Sequence, residues 1–234
     1  MPIPILHPHP LSKPKDGFVS RHCNRWISYP ISKLLLPTKI TPNQISLANA
    51  VLAIPMIIAG IYGYLVIAAL LWQLISMLDG IDGEIARAKG LSTKFGAFLD
   101  TLCDYIVDSC GVLAIGLALI SRYNVHFSFV LSAVSVVITT RLISNFIVKS
   151  VPEACRKQLI PDNRDIRVLI VLLSAILVKF LGASIIFATL ILISVLLSIN
   201  GIYRVNLFYR SERISDSLIE QPVVDANLGL PNGF

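Results

Sequence analysis

Asp79 and Asp82 stand three residues apart, and Asp100 and Asp104 four apart. On helices, each spacing puts both carboxylates on one face. A short connection makes the two helices antiparallel neighbours, so the pairs can be aimed at each other. Four converging carboxylates repel strongly unless cations sit between them. An all-oxygen donor set, with no His or Cys beside it, selects Mg²⁺, Mn²⁺ or Ca²⁺ over zinc.

The flanking residues indicate what such ions would hold. Gly80 and Gly83 interrupt a helix where Ala would be favoured, and Gly96 stands between Phe95 and Ala97. Missing side chains let a planar or phosphate-bearing ligand approach the backbone. Arg87 adds a fixed cation whose paired N–H donors suit a diphosphate. Carboxylates, ions, an arginine and access glycines together point to transfer of a phosphoryl group from a nucleoside diphosphate. Any one of these aspartates alone reads as an ordinary helix-end residue, and Asp108, four beyond Asp104, reads as one such extra. Four together inside apolar helices read as function.

Those helices belong to a chain of 234 residues that is 55% hydrophobic but only 15% charged. A soluble domain carries about 25% charged residues, so a water-soluble globule is excluded. Disorder is excluded by the hydrophobicity. The net charge of +6 suggests a nucleic-acid partner until the charges are placed. Cys23, Cys103, Cys110 and Cys155 show no CxxC spacing and read as reduced thiols. His7 and His9 lie in a Pro-rich N-terminus without the apolar core of a signal peptide and read as incidental.

The expected fold is all-α: a polytopic membrane protein of six transmembrane helices with an N-terminal amphipathic juxtamembrane helix. Six apolar stretches, at roughly 43–62, 64–86, 94–121, 125–148, 165–181 and 183–208, can cross about 30 Å of hydrocarbon. The fifth is the weakest, because Arg164, Asp165 and Arg167 crowd its start. Thr41 and Pro42 read as N-cap and first helical residue of the first span. Turns are expected at 60–63, near Tyr123-Asn124 and near Gly182. With the N-terminus inside, 18 of the 20 basic residues fall on the inner side and only Arg122 and Lys179 outside. This positive-inside bias predicts both termini and the aspartates on the cytoplasmic side of the cell membrane. It also removes the nucleic-acid reading.

Residues 18–36 predict an interfacial helix bent at Pro30. Phe18, Trp26, Ile27, Ile31, Leu34 and Leu35 share a face opposite Arg21, Arg25 and Lys33. The chain then divides into a cytoplasmic segment (1–42), a six-helix catalytic domain (43–210) and a polar tail (211–234). On the fourth span Arg141, Ser144, Asn145 and Val148 share a stripe, and on the sixth Asn200 and Arg204 do. Arg141 and Arg204 are candidates for the phosphate of an acceptor. Lys149, Arg164 and Arg167 read as headgroup or topology charges.

Asp79-Gly80-Ile81-Asp82-Gly83-Glu84-Ile85-Ala86-Arg87, eight residues, Gly96, three, Asp100, three, Asp104 resembles the signature of the CDP-alcohol phosphotransferase family, with all eight fixed positions filled. The resemblance implies a CDP-alcohol donor, an alcohol or phosphorylated polyol acceptor, and release of CMP. It implies that Asp79, Asp82, Asp100 and Asp104 hold two Mg²⁺ or Mn²⁺ ions. Asp104 would also be the general base. Gly83, Arg87, Thr93 and Gly96 match positions that contact the CDP group. Asn43 and Ser46 resemble the family's Pro-Asn-x-x-Thr/Ser element in the same pocket. Membrane lipids and a second copy of the chain are the further partners implied.

Residues 15–21, with Asn24-Arg25 and Ile27-Ser28, resemble the entry segment of the inositol-phosphate branch, in which CDP-inositol donates to inositol phosphate. About 40 residues precede the first span, so a separate enzyme is the expected source of CDP-inositol. The alternative is a phospholipid synthase using CDP-diacylglycerol or CDP-archaeol with inositol phosphate, glycerol phosphate or serine. A cation transporter is the distant alternative. It is disfavoured because the carboxylates cluster at one end of two helices instead of lining interrupted repeats at the midplane.

Overall fold

A computed structural model describes residues 25–157, 159 and 164–219. Its α-helices are α1 (Arg25–Leu35), α2 (Pro42–Val51), α3 (Ala53–Ile61), α4 (Leu65–Leu78), α5 (Gly80–Ala88), α6 (Lys94–Tyr123), α7 (Phe127–Ser150), α8 (Arg164–Leu181) and α9 (Ser184–Ile219). No strand occurs among the described residues.

The start and stop signals act as local chemistry requires. Thr41 and Gln44 form a reciprocal capping box: Gln44 N–H donates to Thr41 Oγ1 at 3.4 Å, and Thr41 N–H donates to Gln44 Oε1 at 2.9 Å. Pro42 occupies the first helical position, where its missing N–H costs nothing. The chain reverses at Gly63 (φ +75°), at Asn124 (φ 50°) and at Gly182 (φ +79°), all in left-handed backbone and all in or beside the expected turns.

Two expected spans are each interrupted at one residue whose backbone stays in the right-handed helical region. The first divides into α2 and α3 at Leu52, and the second into α4 and α5 at Asp79. Asp79 therefore sits at the junction of α4 and α5, with its own backbone still helical (φ −54°, ψ −31°).

Among the described residues, five segments are long and apolar enough to cross a membrane: 42–61, 65–88, 94–123, 127–150 and 184–211. Helix α8 forms where the fifth span was expected, but Arg164, Asp165, Arg167 and Lys179 hold it below the same standard. Its Val168, Val171, Leu172, Ala175 and Val178 are buried, and it packs against α4 and α9.

Between apolar helices in lipid, close backbone approach replaces hydrophobic drive. A Cβ on Gly60 would lie 2.4 Å from the Ala114 carbonyl oxygen, so α3 and α6 can meet only through glycine there. A Cβ on Gly111 would lie 2.3 Å from the Trp72 ring, so the α4 indole lies flat on α6. The outward surface is apolar: Phe129 and Phe146 of α7 and Phe180 of α8 are among many large exposed side chains. That surface accounts for the charge deficit.

Helix α1 runs through Pro30. Its protein-facing side is a pair of serines, Ser28 and Ser32, both buried, while Trp26 and Leu34 are exposed. The apolar face therefore turns away from the bundle. The part of the expected amphipathic segment before Arg25, including Phe18 and Arg21, lies outside the described residues, as do the inositol-branch residues 15–24 and the tail beyond Ile219.

Candidate active site

Asp79 comes from the α4–α5 joint, and Asp100 and Asp104 from successive turns of α6. One carboxylate oxygen from each lies within 4.8 Å of the others. The donors are hard oxygens at a spacing that one small divalent cation can bridge, so the residues fit Mg²⁺ or Mn²⁺. Asp82 stands outside this triple. It is buried, accepts the Ser46 hydroxyl, and takes the Gly83 N–H at 2.5 Å. Ser46 thereby links α2 to α5, and Asn49 extends the link by donating to the Ile75 carbonyl at 3.3 Å.

A cleft of about 260 Å³ opens between α2, α5 and the start of α6. Asn43, Ser46, Gly83, Arg87, Thr93 and Gly96 all line it, with Asp82 and Asp100. Thr93 is the N-cap of α6 and accepts the Gly96 N–H at 2.9 Å. A Cβ on Gly96 would lie 3.1 Å from the Thr93 hydroxyl and 3.2 Å from Asn43 Oδ1. Glycine keeps that wall of the cleft open.

A second, polar pocket of about 210 Å³ lies on the other side of Asp104, lined by Thr101, Tyr105, Arg141, Asn145 and Lys149. Arg141 is thus brought beside Asp104. Arg204 is buried on α9 and is not among the residues lining this pocket.

Sequence reasoning passed over Arg164 and Asp108. Arg164 is not a headgroup charge: its guanidinium enters the carboxylate cluster. Nη1 lies 3.0 Å from Asp79 Oδ2 and also bonds Asp104, while Nε donates to Asp108 Oδ1 at 3.0 Å. Asp108 also pairs with Arg141 and accepts the Trp72 indole N–H at 3.2 Å. The missed signal was the depth of Asp108 in its span, since a carboxylate there needs a cation.

Glu84, beside Gly83 in the signature, is also buried. It accepts the hydroxyls of Ser28 at 2.9 Å and Ser32 at 2.5 Å. Lys89 adds a second strap by donating to the carbonyls of Thr38 at 2.7 Å and Ile40 at 2.9 Å. Helix α5 is therefore held at its middle and at its C-terminal end by the segment that precedes α2.

A multi-pass helical bundle with a carboxylate cluster beside a glycine- and arginine-lined cleft has the build of a membrane-embedded phosphotransferase. The model of the CDP-alcohol phosphatidyltransferase family matches residues 39–200, and the chain belongs to that family. Membership together with its long apolar helices makes it a multi-pass membrane protein. The chain is 37% identical over 165 residues to a bifunctional IPC transferase and DIPP synthase of Thermococcus kodakarensis, covering 68% of this chain and 37% of the relative. It is 37% identical over 129 residues to a phosphatidylinositol phosphate synthase of Corynebacterium glutamicum, covering 55% and 59%. The chain thus spans between about a third and three fifths of these two relatives. The fold is similar to a crystal structure of Mycobacterium tuberculosis phosphatidylinositol phosphate synthase with CDP-DAG bound. That likeness has a TM-score of 0.63 at 22% identity and covers 77% of this chain and 92% of the other. The same synthase was also solved with manganese and citrate.

Proposed function

We propose that this protein moves a phosphoalcohol group from a CDP-alcohol to the hydroxyl of an inositol phosphate and releases CMP. The observation that carries the reading is the cleft, in which six candidate nucleotide-contacting residues stand beside Asp82 and Asp100 and border the Asp79–Asp100–Asp104 cluster. Asp79, Asp82, Asp100 and Asp104 hold two Mg²⁺ or Mn²⁺ ions. When bound, these ions supply positive charge to the diphosphate and to the departing CMP oxygen. Arg87 pairs with the diphosphate through its planar donors. Gly83 and Gly96 let the nucleotide reach the backbone. Asp104 takes the proton of the acceptor hydroxyl, whose oxygen attacks the β-phosphorus while the bond to CMP breaks.

The acceptor enters from the opposite side of Asp104. There Arg141 and Lys149 favour a phosphate and Asn145 a polyol hydroxyl. Arg204 is the second candidate for that phosphate. The donor on this reading is CDP-inositol, supported by the similarity to bifunctional IPC transferase and DIPP synthases. A second reading, CDP-diacylglycerol or CDP-archaeol, is supported by the similarity to phosphatidylinositol phosphate synthases. Exposed apolar side chains next to the cleft, Leu47, Phe95 and Phe98, also suit acyl or isoprenoid tails.

The charge distribution supports cytoplasmic termini and a cytoplasmic site, with α1 lying at the interface. Family resemblance supports a homodimer. A panel pairing CDP-inositol and CDP-diacylglycerol with inositol phosphate, glycerol phosphate, serine and free inositol tests the reading. The phosphorylated inositol is expected to be the preferred acceptor. Equal turnover of free inositol would remove the phosphate-binding role of Arg141 and Arg204.

A further inference from the structure

We infer that Arg164, aimed by Asp108, is a resident counter-cation of the carboxylate cluster: it holds Asp79 and Asp104 together before divalent ions bind, and it yields those carboxylates to the ions. The inference rests on the proposed reading of Asp79 and Asp104 as ion ligands.

One guanidinium spans three carboxylates. Its Nε is tied to Asp108 at 3.0 Å, and Nη1 reaches Asp79 at 3.0 Å and also Asp104. The tie to Asp108 is rigid for reasons that lie outside the cluster. The Asp108 side chain is only 6% exposed and is held by the Trp72 indole N–H and by Arg141, and Trp72 is itself seated on Gly111. Asp108 is therefore a positioning residue, acting on the cluster through Arg164.

Two physical features make the arrangement a competition rather than a permanent bridge. A carboxylate oxygen engaged by a guanidinium offers less electron density to a metal, and a fixed cation 3.0 Å from Asp79 disfavours a divalent one on that carboxylate. Arg164 is also largely buried, with 13% of its side chain exposed, so its charge is compensated by the carboxylates it meets. Once ions neutralise Asp79 and Asp104, the terminal nitrogens lose that compensation, while Nε keeps Asp108. The arm can then swing about that anchor. In the ion-free enzyme the same arm prevents three clustered carboxylates from forcing α4, α5 and α6 apart.

The test uses the full chain in detergent micelles, stripped with EDTA. Mn²⁺ binding is followed by the paramagnetic resonance of free Mn²⁺, and thermal unfolding is recorded with and without the ion. Arg164→Gln is expected to bind Mn²⁺ roughly tenfold more tightly, the factor that follows if the arginine holds the cluster in about nine of ten ion-free molecules. Its ion-free melting temperature is expected to fall, and the rise on adding Mn²⁺ to exceed that of the wild type. Arg164→Lys keeps the charge with fewer directed donors and is expected to lie between the two. It carries the test if the Gln variant does not fold without ions. Mn²⁺ affinity equal to or weaker than wild type in the folded variants would overturn the inference alone. A wild-type protein that binds no Mn²⁺ would overturn the ion-site reading with it.

Discussion

Ser28 of α1 donates its hydroxyl to Glu84 of α5 at 2.9 Å, joining the helix that precedes the bundle to the helix that carries Asp82, Gly83 and Arg87. Ser32 bonds the other Glu84 oxygen, so both carboxylate oxygens are committed to α1. Hydrogen bonds to a charged group contribute about 1.5–3 kcal/mol each. Glu84→Ala is therefore expected to destabilise the protein by about 2–4 kcal/mol and to raise KM for the CDP donor more than it lowers kcat. Chemical denaturation and steady-state kinetics check both, and a Ser28→Ala/Ser32→Ala double variant should move them in the same direction.

Gly96→Ala tests the open wall of the cleft. The added Cβ would press on the Thr93 hydroxyl at 3.1 Å and Asn43 at 3.2 Å. Because the contact is tight but not impossible, the fold should survive. A cost of about 1 kcal/mol corresponds to a roughly fivefold rise in donor KM, with acceptor KM unchanged. Titration of each substrate at saturating levels of the other separates the two.

Gly111→Ala tests the packing behind the site. With its Cβ placed 2.3 Å from the Trp72 ring, the indole must move, and with it the hydrogen bond to Asp108. Overpacking costs about 1–3 kcal/mol. Loss of thermal stability together with a red-shifted tryptophan fluorescence spectrum is the expected result.

The parts of this architecture that were legible in the sequence are those written in local spacing. Asp79, Asp82, Asp100 and Asp104, the Thr41–Pro42 start and the turn at Asn124 each depend on residues within a few positions. The joint at Asp79 was not legible, because a run of apolar residues ending in Asp-Gly reads equally well as one rod. Arg164 meets Asp104 and Asp108 from 60 and 56 residues away, and only the packing of α8 against α4 makes that meeting. At the start of a weak span its charge had a sufficient topological explanation. The protein-facing side of α1 was not legible for a related reason. Hydrophobic patterning finds a membrane-facing side, whereas Ser28 and Ser32 reveal their role only when Glu84 stands opposite.

Removal of divalent ions should abolish turnover, since the bare carboxylate cluster repels an anionic diphosphate. Mg²⁺ or Mn²⁺ is expected to restore activity to EDTA-treated protein, with Zn²⁺ failing for want of nitrogen or sulfur ligands. Activity that survives exhaustive chelation would argue against an ion-dependent site.

On the proposed mechanism Asp104 removes the acceptor proton as CMP departs. CMP release by purified Asp104→Asn, measured at saturating donor, acceptor and Mg²⁺, addresses it most directly. A loss of roughly 10²–10⁴-fold in kcat is expected, with binding of the CDP-alcohol retained. CMP release at the wild-type rate would contradict it.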